Sequence, residues 1–447
     1  MAHILIILAA LLPLACTPAD AGELQALTLH EAIVRGLERN NRVIASGHQA
    51  AAARIAATAA GRHYLPTVHL EETWSRSNLP VATFMMKLNQ GRFQNRDFDV
   101  ARLNNPAPVS DFRTALTLEQ PLLTPSAPGT AAMAREEAQS REALTEQTRQ
   151  QVAFTIFRLY LEVHKAKSHR AALETALTEA RERRRQAAVR IAAGLGLASD
   201  ELRAATHLAA LEQRRISADH ALVLARMQLA LATGGSPGDE VDTAETARLR
   251  QPDRSLANLL TTARQMRPDL QSAERERERA EAALRRARSG FLPTVSAFGS
   301  WQMHDTATPF GRDQDAWMAG VSLRWNLFDG LRTIHGVGQA RAERAAATEL
   351  LVGQENEVGY QVHEAWLRRI EAQQRVEVAR SAVSAAAETV RLLAKRFDNA
   401  LATMVEVLDA QNVLDQARAA VVESEAELHL ATGRLYHVAG LFLKEVL

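Results

Sequence analysis

The chain has 447 residues, enough for two or three ordinary domains, yet only 5 % are aromatic while 23 % are charged. Alanine and arginine recur throughout, which suits long helices with narrow contacts better than thick globular cores. A net charge of +1 gives no reason to expect a nucleic acid or an acidic polymer as partner.

The chain begins with an apolar run over residues 4–15, followed by Ala19-Asp20-Ala21. This is a signal-peptide pattern, with cleavage expected after Ala21, and the run is too short to span a bilayer as a helix. The single cysteine, Cys16, follows Pro13-Leu14-Ala15, a loose likeness to a lipoprotein box with proline at the usual leucine position, so lipidation stays open. If Cys16 leaves with the signal, the mature chain forms no disulfide.

One helix is expected over residues 27–62. A strand follows at about 67–75, with Val68, Leu70 and Trp74 on one face and His69, Glu71 and Thr73 on the other; Glu72 interrupts the apolar face. Residues 78–111 carry prolines, glycine and asparagines and are expected as a long exposed loop. A second strand at about 111–120 alternates Phe112, Thr114, Leu116 and Leu118 with Arg113, Ala115, Thr117 and Glu119. Residues 130–193 contain no proline and predict one helix about 95 Å long at 1.5 Å per residue. Val152, Ile156, Leu159 and Val163 are spaced as in a coiled-coil seam; the second-half equivalents, Val358, Val362, Ala365 and Arg369, form a weaker one. A turn at 194–200 reads Gly194-Leu195-Gly196-Leu197-Ala198-Ser199-Asp200, where Ser199 or Asp200 can cap the returning helix. The linker at 234–253 opens with Gly234-Gly235-Ser236-Pro237-Gly238.

Leu65-Pro66-Thr67-Val68 then recurs as Leu292-Pro293-Thr294-Val295, and Trp74 recurs as Trp301, all at an offset of 227. The chain is therefore read as a duplication with a period far longer than any solenoid unit, its first repeat at 22–233 and its second at 254–447. The second strand pair is expected at about 294–303 and 316–327. Val295, Ala297 and Trp301 alternate with Thr294, Ser296 and Ser300, and Trp317, Ala319, Val321, Leu323, Trp325 and Leu327 with Gly320, Ser322, Arg324 and Asn326. Such alternation fits a membrane barrel and a half-buried soluble sheet equally. The offset is 205 between Phe112 and Trp317 and 206 between Arg190 and Arg396, so a long stretch keeps its length without keeping its sequence, as a rigid ruler would. The second tip is placed at 398–404, with Thr403 as N-cap and Glu406 completing a capping box.

No catalytic residue, cofactor or metal is expected. His363-Glu364-Ala365-Trp366-Leu367 has leucine where a zinc-protease helix needs its second histidine. Gly194-Leu195-Gly196 lacks the third glycine of a phosphate cradle and follows a helix. His63 and His69 are read as solvated, and the arginines of 274–288 as a solvated face rather than a nucleic-acid site.

Several short motifs, in order, resemble the TolC-like outer-membrane efflux proteins over essentially the whole mature chain. They are Leu27-Thr28-Leu29-His30-Glu31-Ala32, the two Leu-Pro-Thr-Val entries, Arg267-Pro268-Asp269-Leu270, Trp325-Asn326-Leu327-Phe328-Asp329-Gly330 and Val407-Leu408-Asp409-Ala410-Gln411. The resemblance implies a mainly α fold with a small membrane β part: a homotrimer whose twelve-stranded barrel in outer-membrane lipid continues as a long periplasmic α-helical barrel. It implies an exit duct of a tripartite efflux or type I secretion system, docked to a periplasmic adaptor and an inner-membrane pump, with the transported substrate left open. It places an acidic gate at Glu406 and Asp409, with Asp200 as first-half counterpart. The arginine some members carry is here Ala402, and the usual tip glycine is Ala400. The small, apolar tips Gly194, Leu195, Gly196, Leu197 and Ala198, and Asn399, Ala400, Leu401, Ala402 and Thr403, suit packing against an adaptor hairpin. The alternative reading is a periplasmic coiled-coil adaptor or scaffold without a barrel, which leaves the four alternating strands unexplained.

Overall fold

The computed structural model describes residues 25–194, 196–245, 249–250, 254–399 and 401–447. The expected signal segment 1–21, Cys16, Leu195, Ala400 and parts of the 234–253 linker lie outside the described residues.

In chain order the elements are β1 (Gln25–Leu27), α1 (Leu29–Arg39), α2 (Asn41–Gly61), β2 (Thr67–Ser77), α3 (Pro80–Asn89), α4 (Val100–Asn104), β3 (Val109–Leu123), α5 (Ala127–Ala192) and α6 (Ala198–Ala232). There follow β4 (Val241–Thr243), α7 (Leu256–Met266), α8 (Pro268–Arg288), β5 (Thr294–Asp305), β6 (Gln314–Arg324), α9 (Arg332–Asp398), α10 (Met404–Val438) and α11 (Phe442–Val446). Helices α5 and α9, of 66 and 67 residues, each run about 100 Å at 1.5 Å per residue.

Four expectations need correction. The helix expected over 27–62 is two helices, because Asn40 is extended (φ −70°, ψ 123°) and its side chain caps α2 at Arg42 N. The same Asn40 amide donates to the Ala232 carbonyl at 3.0 Å, which fixes the break against α6. The segment 78–111 is not a bare loop: it holds α3, a 3-10 turn at Asn95–Phe98, and α4. Proline at the first position of α3 and an edge-to-face cluster of Phe84, Phe93 and Phe98 order it. The strand expected to 327 stops at Arg324; Trp325 turns aside to donate its indole N–H to the Phe291 carbonyl at 3.0 Å. Helix α6 starts at Ala198, so Ser199 and Asp200 stand inside its first turn and neither caps it.

Strands β2, β3, β5 and β6 form one antiparallel sheet in the order β2-β3-β5-β6, leaving β2 and β6 as unpaired edges. The register stacks Leu70, Leu116, Trp301 and Trp317 across the strands on one face. Val68, Trp74, Phe112, Leu118, Val321 and Leu323 share that face by alternation. Among the described residues no core lies behind these side chains: Trp317 is 78 % exposed and Val321 66 %. The opposite face carries His69, Glu71, Thr73, Arg113, Thr117, Ser300, Gln302 and His304. Every long helix leaves the sheet from one end, and the β2–β3 and β5–β6 connections lie at the other.

The main core sits where α1, α7, α11 and the ends of α6 and α10 wrap the middle of α5 and α9. Ile33, Ile156, Phe157, Tyr160, Leu259, Leu435 and Phe442 are fully buried there. Both seam patterns point inward, since Val152, Ile156 and Val163 on α5 and Val358, Val362 and Ala365 on α9 are buried. Gly433 on α10 is required: a Cβ would lie 2.2 Å from the Phe157 ring. The short strands β1 and β4 pair in parallel and tie the start of the chain to the linker between the repeats. Lys167 reaches Asp242 at 2.5 Å and the Thr243 carbonyl at 2.8 Å to hold that pair against α5.

Two of the sequence motifs build helix starts. In Arg267-Pro268-Asp269, the proline opens α8 and the arginine clamps Asp269 through two bonds of 2.9 and 2.6 Å. The same guanidinium reaches Gln361 on α9 at 2.8 Å and the Val438 carbonyl of α10 at 3.2 Å. At Asp329-Gly330, the glycine takes φ +71° and Asp329 accepts from the Thr333 amide at 3.0 Å, starting α9.

Candidate functional site: the helical tips and the sheet's polar face

The α5–α6 and α9–α10 hairpins end together. Arg190, near the end of α5, lies 4.5 Å over the Phe397 ring and donates to the Phe397 carbonyl of α9 at 3.0 Å. Gly194 takes φ +71°, the left-handed conformation that a tight helix exit needs. Gly196 is packed more closely than a free turn residue, since a Cβ there would come within 3.1 Å of Arg190 and of the Ile191 backbone. Ala198 opens α6, while Asn399, Ala402 and Thr403 carry the chain from α9 to α10. The residues that stand out are Leu197 and Leu401, one on each tip, each 68 % exposed.

The three expected gate carboxylates have different surroundings. Glu406 completes the capping box of α10: its Oε2 accepts from the Thr403 amide at 2.7 Å and the Thr403 hydroxyl at 2.9 Å. These bonds, the backbone one first, hold its pKa below the usual glutamate value. Asp409, one turn on, is exposed and lines an open groove of about 650 Å³ between α6 and α10, shared with Arg203, Thr206, His207 and Asn412. Asp200 sits with Glu201 in the first turn of α6, where a carboxylate favours the helix dipole. Within one chain Asp409 and Arg203 thus line the same groove, and Ser199 and Val405, the neighbours of Asp200 and Glu406, line it as well.

Sequence reasoning missed a polar network higher between the hairpins. Glu179 of α5 accepts from Gln411 at 2.6 Å and from both terminal nitrogens of Arg418 at 3.1 and 3.2 Å. Burial pushes Asp415 up from the usual aspartate value and His207 down from the usual histidine value. The only visible signal was Gln411 in the Val407–Gln411 motif, which carried no hint of a partner 232 residues earlier.

A second cluster lies on the polar face of the four-stranded sheet, at the end away from the helices. Glu71 and Arg113 pair at 3.0 Å. His304 Nδ1 lies 2.9 Å from Asp111 Oδ2, and Gln90, from the end of α3, donates to Asp111 Oδ1 at 2.9 Å and to the Ser110 carbonyl at 2.8 Å. Among the described residues no three His, Cys, Asp or Glu side chains gather as metal ligands. Among them also, no helix is long and apolar enough to cross a membrane.

A sheet with one bare apolar face and one polar face, extended by two helical hairpins whose longer arms run about 100 Å, narrows the possible relatives sharply. Residues 259–441 match the family described as Outer membrane efflux protein. That match lies in the second half and covers less than half of the chain. Protein CyaE of Bordetella pertussis is 33 % identical over 190 residues, which span 40 % of this chain and 40 % of that protein. The CmeC outer membrane channel of Campylobacter jejuni superposes with a TM-score of 0.79 at 15 % identity, covering 98 % of this chain and 94 % of that one. A membrane protein from Pseudomonas aeruginosa gives 0.78 at 18 % identity, with 96 % and 99 % covered. At such identities the likeness is one of fold: mainly helical, with the β-barrel and helical-barrel parts of these channels.

Proposed function

We propose that this protein is a passive exit duct of the outer membrane, working in a tripartite efflux or type I secretion system. Three copies close one twelve-stranded barrel, and their helices continue it as a tunnel into the periplasm. One observation carries the reading: a four-stranded sheet that is apolar on one face, polar on the other and open at both edges. Four strands cannot close, and open edges in lipid leave backbone groups unpaired at a cost of several kcal/mol each. Pairing β2 of each copy with β6 of the next removes every edge. A periplasmic adaptor without a barrel has no use for the bare face that includes Trp317 and Val321.

In this reading Glu406 and Asp409 from three chains, with Asp200 nearby, ring the periplasmic mouth and favour cations. The exposed Leu197 and Leu401 offer the adaptor an apolar foothold at the two tips. The inner-membrane pump supplies the energy, and the duct binds no nucleotide.

The test is assembly and location together. Mass measurement in mild detergent gives three chains, and the protein stays with outer-membrane fragments through salt and alkaline washing. A monomer, or a protein released by alkali, removes the barrel.

A further inference from the structure

The segment between β2 and β3 is folded toward the polar side of the sheet. Helix α3 is fastened there by its last turn: Gln90, 2 % exposed, donates to Asp111 at 2.9 Å, and Asp111 also holds His304 at 2.9 Å. Asp111 and His304, 5 % and 4 % exposed, belong to the face that becomes the lumen once the barrel closes. The first turn is fixed too, with the Thr83 hydroxyl donating to the Ser77 carbonyl at 3.2 Å. Behind the helix, Lys87 pairs with Asp97 at 2.8 Å, and Phe84 and Phe93 pack edge to face at 4.8 Å. The helix is therefore braced as a rigid piece over the lumen end.

Its remaining face stays largely open among the described residues. Val81, Met85 and Leu88 recur at helical spacing and are 76 %, 49 % and 43 % exposed. An apolar stripe is out of place on a loop bathed by water. Helix α3 also follows directly from β2, the sheet edge that must pair with a neighbouring copy, so each α3 starts beside the seam between chains.

We propose that the three copies of α3 meet on the threefold axis through Val81, Met85 and Leu88 and form an apolar plug in the outer mouth of the barrel. The occupant of each exposed stripe is the same helix of the other two chains. A constriction of this kind excludes water and ions by dewetting. The duct then has an outer closure besides its periplasmic mouth, and opening the mouth alone does not make it conduct freely. The Gln90–Asp111–His304 contacts keep each helix aimed inward. The proposal rests on the trimeric duct of the preceding section.

The test uses full-length protein in cells. Val81, Met85 and Leu88 are each replaced by cysteine, exposed positions where the change leaves folding intact. Mild oxidation of intact cells converts chains to covalent dimers on a non-reducing gel, at most about two thirds of the chains because one of three thiols is left over. The unsubstituted chain, with only Cys16, gives no such band. The native mass of each variant is measured alongside. Dimers from at least one of the three positions, in a protein of trimeric mass, uphold the plug. A trimer that yields none at all three overturns the plug and spares the duct; a monomer overturns both.

Discussion

Arg418 on α10 holds both carboxylate oxygens of Glu179 on α5, with its Nη1 3.1 Å from one and its Nη2 3.2 Å from the other. The two helices belong to different hairpins, so the pair ties the α9–α10 hairpin to the α5–α6 hairpin above the tips. Any widening of the mouth that moves one hairpin against the other has to break it.

Replacing Arg418 with alanine should therefore loosen the closed mouth. The side chains are about a third exposed, so the pair contributes on the order of 1 kcal/mol, or about a fivefold shift toward the open arrangement. Single-channel recording in planar bilayers should show a matching rise in open probability, with trimer mass unchanged. Arg418→Lys, which keeps the charge but loses the two-pronged contact, should fall between. An unchanged open probability in Arg418→Ala would mean the hairpins move together.

The gate carboxylates separate by role. Converting Glu406 to Gln and Asp409 to Asn should abolish cation preference and block by divalent cations in bilayers, because the ring of charge is gone. Thr403→Ala should leave selectivity alone yet destabilise the start of α10 by about 1 kcal/mol, read as a lower melting temperature. If the double variant keeps its selectivity, these carboxylates do not line the constriction and Glu406 is a cap only. Because Glu406 has a lowered pKa, the cap holds above the ordinary glutamate value and is lost as pH falls through the depressed one.

Docking is best probed at Leu197 and Leu401. Gly196 is a poor target, since any side chain there meets Arg190 and the Ile191 backbone. Leu197→Asp or Leu401→Asp changes a 68 % exposed residue and should cost the fold under about 0.5 kcal/mol. Export in cells should nevertheless fall by tenfold or more, with trimer and membrane insertion intact. Normal export in both variants would place the adaptor elsewhere.

His437 gives a pH dependence. It stacks on Phe154 with ring centroids 4.7 Å apart, and burial, with Arg267 and Arg434 nearby, depresses its pKa to about 4. The unfolded chain takes up this proton near pH 6.5 and the folded chain only near 4. Stability should thus fall as pH drops from 6.5 to about 4, by roughly 3 kcal/mol per chain. His437→Phe should flatten the melting temperature over that window. An equally steep fall in the variant would assign the acid response to other groups.

Local patterns in the sequence mark the four strands and the long helices. Period-two alternation around Leu70, Leu116, Trp301 and Trp317 marks the four strands. Absence of proline between Gly129 and Ala193 marks one uninterrupted helix, and Thr403 with Glu406 marks the start of α10. These are local signals, set by side-chain direction and by backbone groups that must be satisfied within a few residues. Alternation could not say whether the apolar face meets a core or lipid. The tertiary structure decided that it meets no core among the described residues of this chain, where Trp317 stays 78 % exposed. The break at Asn40 depends on the carbonyl of Ala232, the Glu179–Arg418 pair joins residues 239 apart, and the inward turn of α3 depends on Asp111 and His304. Each is a contact between distant parts of the chain, and only packing in three dimensions brings such groups together.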